Sequence, residues 1–368
     1  MKFQRYAGIA GVVVAGAMAL TACGTDNNSG ANPQANKQAA SIKDCQKGTL
    51  NASGSTAQAN AMDTWRKAYQ QACSGANLNY NGNGSGAGVE QFIQGSTAFA
   101  GSDSALKPEE KPKADARCKS GEAVDLPMVV GPIAVVYNLE GVNDLQLSPK
   151  TIAGIFAGKI KKWDDPAIKK DNPSAKLPST AISTIHRADE SGTSDNFTKF
   201  LQATAPSVWK YEPGKKWVAP GGQGAKGSDG VAAAVKQGTG TIAYDEYSYA
   251  QNGKLQTAKV ANGSGKFVQL TTDSASKGVE AAKVVGKGQD LSLEIDYNTK
   301  ADGAYPIVLT TYEITCTKGL PADQSKLVKS FLTYTASDNG QSGLTKLGYA
   351  PLPKSIQTKV QDVVKGIA

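Results

Sequence analysis

Short runs rich in β-branched and aromatic residues alternate with helix-period patterns along most of the chain. This alternation restricts the fold more than any other feature. The strand-like segments are Thr49–Ala52, Leu78–Tyr80, Pro127–Tyr137, Ala181–Ile185, Gly240–Tyr244 and Pro306–Cys316. Helical patterns lie at Ala59–Gln71, Pro149–Phe156, Ser194–Leu201, Asp229–Gln237, Ser274–Val284, Gln324–Ala336 and Ser355–Val364. In the first helix, Ala59, Met62, Trp65, Ala68 and Tyr69 share one face at a 3.6-residue period. Strands interleaved with helices predict α/β domains on mostly parallel sheets. At 368 residues the chain is longer than one core usually organises, so two domains are expected. No internal repeat is visible.

The composition narrows the function classes. With 40% hydrophobic and 20% charged residues, the chain is neither disordered nor a multispanning membrane protein. The one histidine, His186, rules out a His-based metal cluster and so most zinc enzymes. Formal net charge is +8, or +6 without Lys2 and Arg5. The lysines are scattered, so no nucleic-acid surface is implied, and a modest positive field favours small anions.

The chain opens with an address. Lys2 and Arg5 precede an apolar run, Ala7–Leu20, whose 14 residues are too few to span a bilayer comfortably. It ends in Leu20-Thr21-Ala22-Cys23, which resembles the bacterial lipobox. Residues 1–22 are therefore expected to be a lipoprotein signal peptide, with Cys23 lipidated; an ordinary secretory signal beside a chance cysteine is the alternative. Residues 23–44 are rich in Asn, Gln, Ala and Ser and predict a flexible tether reaching roughly 25 Å.

Four cysteines remain: Cys45, Cys73, Cys118 and Cys316. In an exported chain they predict two disulfides, with three possible pairings. No Cys-x-x-Cys spacing supports a metal site. The opening strand–helix–strand pattern brings Cys73, at the helix end, back to Cys45 at the strand start. Cys45–Cys73 is the expected pair, and Cys118–Cys316 follows by elimination.

Candidate chemistry lies in four Gly/Ser/Thr-rich loops: Ala52–Thr56, Gly82–Gly88, Ala100–Asp103 and His186–Thr193. Three precede helical patterns. A strand-to-helix loop offers backbone N–H groups, hydroxyl donors and the positive end of a helix, which together suit an anion. Neither a P-loop nor a dinucleotide fingerprint is present, which argues against nucleotides. Ser191 lacks a Gly-x-Ser-x-Gly elbow, so a hydrolase is disfavoured. Arg187 beside Ser-Gly-Thr suits a bidentate oxyanion clamp. Asp103 could alternatively be a plain helix cap, and His186 a residue at the cleft rim.

These residues resemble the phosphate-binding proteins of bacterial phosphate ABC importers, from about Leu50 to Pro353. The resemblance is carried by Gly54-Ser55-Thr56, Gly84–Gly88, Ala100–Asp103 and Arg187–Thr193. Gly158–Pro166, with its Lys-Trp-Asp-Asp-Pro stretch, and Gly240–Tyr244 add to it. It implies an α/β type II periplasmic-binding fold with two α/β lobes joined by two hinge strands. Lobe I would comprise 45–130 plus 306–368, and lobe II 131–305. The implied phosphate ligands are Thr56, Ala57, Ser85 and Asp103 from one lobe, and Arg187, Ser191, Gly192 and Thr193 from the other. Asp189 would hold the clamp arginine. Ala57 stands where relatives often carry Phe, and Glu190 where Gly is common; Glu190 is expected to point to solvent. The segment around Trp163 is expected to pack between the lobes or to face the transporter. The implied protein is a monomeric receptor, lipid-anchored on the extracytoplasmic face, that delivers phosphate to permease subunits without a cofactor, metal or catalysis. A sulfate or molybdate receptor and an extracytoplasmic phosphatase are the rival readings.

Overall fold

The computed structural model describes Ile42 and residues 44–368. The signal peptide, Cys23 and nearly all of the tether lie outside the described residues. The elements that position the site are β1 (Gly48–Gly54), α1 (Ala59–Ala72), β2 (Ala76–Gly82), α2 (Ser85–Ile93), β3 (Phe99–Ser102) and β4 (Ala123–Asn138). They continue with α3 (Pro149–Phe156), β5 (Ser183–Arg187), α4 (Gly192–Thr204), β6 (Gln223–Ala225), α5 (Gly227–Gln237) and β7 (Thr241–Glu246). The remainder are α6 (Tyr247–Gly253), β8 (Gln256–Thr257), α7 (Thr272–Glu280), β9 (Val308–Cys316), α8 (Ala322–Thr335) and α9 (Lys354–Lys365).

The main sheet runs β2-β1-β3-β9-β4-β7-β5-β6, with β8 beside β4. Its outer pairs are parallel, as the alternation predicts. The centre is not: β9 is antiparallel to β3 and β4, and β4 is antiparallel to β7. The physical reason is that β4 and β9 run through the middle of the sheet instead of entering through helical crossovers. β4 changes partner midway: Ala123–Pro132 pairs with β9, and Ile133–Asn138 pairs with β7. The fold is therefore two α/β lobes, one around β1–β3 and β9, the other around β5–β7, sharing β4. The β4–β9 register shifts at Thr311/Tyr312, where the chain opposite passes from Val129 to Pro127. Proline has no N–H for the ladder, and a bulge accommodates it.

Both lobes bury aromatic cores. In the first, Trp65 of α1 is fully buried and its Nε1 donates to the Gly340 carbonyl at 2.7 Å. Tyr69 meets Phe331 of α8 edge-on at 5.5 Å. In the second, Phe197 of α4 stacks on Tyr244 of β7 at 4.3 Å, and Phe156 of α3 packs edge-on against Phe197. Burying each large aromatic contributes about 2–3 kcal/mol, so these clusters are what hold the loops above them in place.

Disulfides join Cys45 to Cys73 and Cys118 to Cys316, the pairings expected from topology. One expectation needs correction. The pattern at Ser274–Val284 forms a helix only to Glu280, and Lys283–Val284 is a short strand. In the segment around Trp163, Lys161 and Lys162 are exposed, while the Trp163 side chain does not bridge the lobes. It is fully buried, packs near Tyr137, and donates from Nε1 to the Gly240 carbonyl within the second lobe.

Candidate functional site

The four anion-suited loops lie at the carboxyl ends of β1, β2, β3 and β5, where ligands collect in open α/β sheets. A fifth, after β6, joins them. From the first lobe come Ser55–Gln58, Asn83–Ser85 and Asp103. From the second come Ala188–Thr193 and Lys226–Ser228. Thr56, Ala57, Ser85, Asp103, Arg187, Ser191, Gly192 and Thr193 are all buried. These residues lie on loops at one end of the sheet, and Cys23 lies outside the described residues.

Arg187 ends β5 and is 2% exposed. Its Nε donates to Asp189 Oδ1 at 2.8 Å and its Nη2 to Oδ2 at 2.5 Å. This fork-to-fork pair fixes the guanidinium plane and leaves Nη1 directed elsewhere, 3.5 Å from Ser228 Oγ. Burial opposes the charge on Arg187, but the Asp189 carboxylate outweighs it and holds the guanidinium proton affinity above its usual value. Burial likewise opposes ionisation of Asp189. Arg187, helped by the Gly227 N–H, wins and keeps that carboxyl below the usual range.

Asp103 is the counterpart across the cleft. Oδ1 accepts from Ser55 Oγ at 2.5 Å and Thr311 Oγ1 at 2.7 Å, while Oδ2 faces Ser85 Oγ at 3.3 Å. Burial pushes its proton affinity up, and these hydroxyls and the charge of Arg187 pull back only part of the rise. It is not a helix cap, because the next helix starts at Lys111. Thr193 Oγ1 is buried with no partner among the described residues, leaving a hydroxyl free for an anion. The Ala57 N–H, expected to face a ligand, donates instead to Ser55 Oγ at 3.0 Å.

The lobes touch directly over these loops. Gly192 N–H donates to Ser85 Oγ at 3.2 Å, Gly86 N–H to the Glu190 carbonyl at 3.0 Å, and Asn196 Nδ2 to the Asp103 carbonyl at 2.7 Å. A Cβ on Gly192 would stand 2.5 Å from Asp103 Cβ, so only glycine permits this approach. Glu190 is exposed, but its carbonyl accepts the Gly86 N–H and its carboxylate lies over Gly86, where a Cβ would stand 2.4 Å from Oε2. His186 stacks on Trp217 at 5.1 Å.

Sequence reading missed Ser55, Ser228 and Thr311. Ser55 stood in plain view within Gly-Ser-Thr. Thr311 sits mid-strand and reaches Asp103 only through the β9–β3 pairing. Ser228 N–H donates to Thr56 Oγ1 at 3.2 Å from the start of α5. Its signal, a Gly-Ser-Asp before a helical pattern, is another strand-to-helix loop of the kind already singled out.

The model of the PBP superfamily domain matches residues 39–339. The chain belongs to the PBP superfamily. Within it, the phosphate-binding protein PstS 3 of Mycobacterium tuberculosis is 44% identical over 372 residues, covering all of both chains. PstS 2 of the same organism is 42% identical over 373 residues, again covering both chains entirely. The phosphate-binding protein PstS of Pasteurella multocida is 33% identical over 81% of this chain and 84% of its own. Among solved structures, a high-affinity periplasmic phosphate-binding protein bound with phosphate superposes with a TM-score of 0.71. That match has 23% identity and covers 86% of this chain and 93% of the other. At that identity the likeness concerns the fold, which agrees with the two-lobe sheet described above.

Proposed function

We propose that this chain is an extracytoplasmic receptor that holds inorganic phosphate between its lobes and delivers it to the permease of an ABC importer, catalysing no reaction. One observation carries the reading. The buried carboxylate of Asp103 feels the charge of the buried Arg187 and sits amid hydroxyl and N–H donors drawn from both lobes. Phosphate near neutral pH has negative oxygens for the donors and at least one O–H for the acceptor. Sulfate has the same shape and no proton to give. The proposed ligands are Thr56, Ser85, Asp103, Arg187, Ser191, Gly192 and Thr193, with Asp189 holding Arg187 and Ala57 contributing only if its N–H turns from Ser55 Oγ to the anion. The proposed lobes are 45–130 plus 306–368 and 131–305, and the receptor is a monomer tethered through lipidated Cys23.

Calorimetric titration with phosphate, arsenate and sulfate tests this. Phosphate and arsenate bind tightly to the parent and sulfate does not compete. A site that requires a donor discriminates by about 10⁴ against a ligand lacking one. Asp103→Ala lowers the phosphate-over-sulfate preference, and Asp103→Asn lowers it less because its amide oxygen still accepts. Tight sulfate binding by the parent overturns the assignment.

A further inference from the structure

Two residues from each lobe interlock beside the anion loops. Asp103 and Ser104 follow β3 in the first lobe, and Asp195 and Asn196 lie near the start of α4 in the second. Ser104 Oγ donates to Asp195 Oδ2 at 2.6 Å, and Asn196 Nδ2 donates to the Asp103 carbonyl at 2.7 Å. All four residues are buried. Asn196 Nδ2 also donates to the Gly192 carbonyl at 2.8 Å, one turn back on its own helix. One amide nitrogen therefore spans the backbone of the proposed acceptor in one lobe and the backbone of a donor residue in the other.

Chemistry fixes which way that amide points. Carbonyl oxygens only accept, so both must face the NH₂ side, and Oδ1 is left to accept. The hydroxyl of Tyr297, a buried residue in the stretch between α7 and β9, donates to it at 2.6 Å. A flipped amide would set Oδ1 against two carbonyl oxygens, three acceptors with no donor among them. Tyr297 thus locks Asn196 in the one orientation that joins Asp103 to Gly192. The Asp103 carboxylate is held within its own lobe by Ser55, Thr311 and Ser85. Its separation from the Gly192–Thr193 donors depends on contacts across the cleft, and the Asn196 bond grips the Asp103 backbone itself.

That separation matters for selectivity. An oxyanion without a proton is repelled by Asp103, and the repulsion falls with distance, so an anion free to back away toward Arg187 escapes most of the penalty. We propose that Asn196, oriented by Tyr297, is a positioning residue for selectivity: it sets the distance between the Asp103 acceptor and the Gly192–Thr193 donors, so that a phosphate O–H reaches Asp103 while a sulfate cannot retreat from it. The inference deepens the phosphate reading given above and rests on it. Asn196 acts through Asp103 and Gly192 and needs no contact with the anion itself.

The test measures phosphate and sulfate affinities of the parent, Asn196→Leu and Tyr297→Phe, with sulfate read by displacement of phosphate. Leucine fills the space of asparagine but offers no donor. Asn196→Leu is expected to lower phosphate affinity about tenfold, as leaving one buried acceptor unpaired does, with sulfate affinity held or raised. The preference for phosphate then drops at least tenfold. Tyr297→Phe frees the amide to turn and is expected to lower the preference about threefold, the effect of one net hydrogen bond. In an Asp103→Ala background, Asn196→Leu should leave the preference unchanged, because the acceptor through which it acts is gone. Equal loss of both anions in Asn196→Leu would mean that the residue only holds the lobes shut, and overturns the proposal. An undiminished effect in the Asp103→Ala background overturns it too. If Asn196→Leu does not fold, Tyr297→Phe decides by the same ratio, and a ratio equal to the parent's overturns the proposal. A parent that binds sulfate as tightly as phosphate overturns the phosphate reading and the selectivity role together. A parent that prefers phosphate, beside variants with the same preference, overturns the role of Asn196 alone.

Discussion

Arg187 commits two of its three nitrogens to Asp189, so its strength as an anion clamp depends on a neighbour that never meets the anion. Each hydrogen bond to a charged group contributes about 1.5–3 kcal/mol, so Arg187→Ala is expected to weaken phosphate binding by at least 10–100-fold. Arg187→Lys recovers only part, because an ammonium lacks the planar fork. Asp189→Asn, measured by the same titration, weakens binding less than Arg187→Ala, since the guanidinium stays but loses its fixed plane. Unchanged affinity in Arg187→Ala would remove the second-lobe half of the site. At this scale the residues legible from sequence were those in loops with a local pattern. Thr311 was not, because a polar residue in a strand gains its meaning from the strand beside it, and β9 meets β3 across some two hundred residues of chain.

α2 shows how tightly an element is held to the sheet that positions it. A Cβ on Gly88 would fall 2.4 Å from Gly54 Cα and 2.8 Å from the Ser53 carbonyl oxygen, both backbone atoms of β1 that cannot rotate away. Alanine would gain about 1 kcal/mol of helix propensity over glycine, against about 1–3 kcal/mol for forcing the helix off the strand. Overpacking wins, so Gly88→Ala is expected to lower the thermal midpoint and also to weaken phosphate binding, because Ser85 rides on the same helix. A melting curve that shifts upward would mean α2 is free to move. The helices and strands named from periodicity were placed to within a few residues, and the first strand–helix–strand unit was clear enough to pair Cys45 with Cys73. However, β3, β6, α2 and α6 were not named, being short or lacking an apolar period. The antiparallel centre was not, since nothing in an apolar run such as Pro127–Tyr137 says which way its neighbour runs.

At the proposed crossings between the lobes, Ile133 N–H donates to the Ile307 carbonyl at 2.9 Å, so the two strands lie side by side, and a hinge motion is expected to bend them together. Away from these crossings, an ion pair joins the two halves near the site. Lys215, in the loop between α4 and β6, places Nζ 3.2 Å from Glu110 Oε1 at the start of the short helix Lys111–Arg117. Its side chain is 4% exposed and that of Glu110 is 22% exposed. The Lys215 carbonyl accepts the Ser191 N–H at 2.9 Å, so the same residue supports the second-lobe anion loop through its backbone and the first lobe through its side chain. Breaking a fully buried pair from one side costs about 3–5 kcal/mol, and the partial exposure of Glu110 reduces this to roughly 1.5–3. Lys215→Met retains the apolar stem and the backbone contact but loses the charge. Phosphate release, followed by stopped flow, is then expected to quicken by about 10–100-fold, with association little changed because closure follows encounter. Glu110→Gln in the same chain should return part of the loss by removing the stranded carboxylate, and the shortfall from additivity measures the coupling across the cleft. An unchanged release rate in Lys215→Met would mean that the loops around Arg187 and Asp103 hold the lobes together on their own.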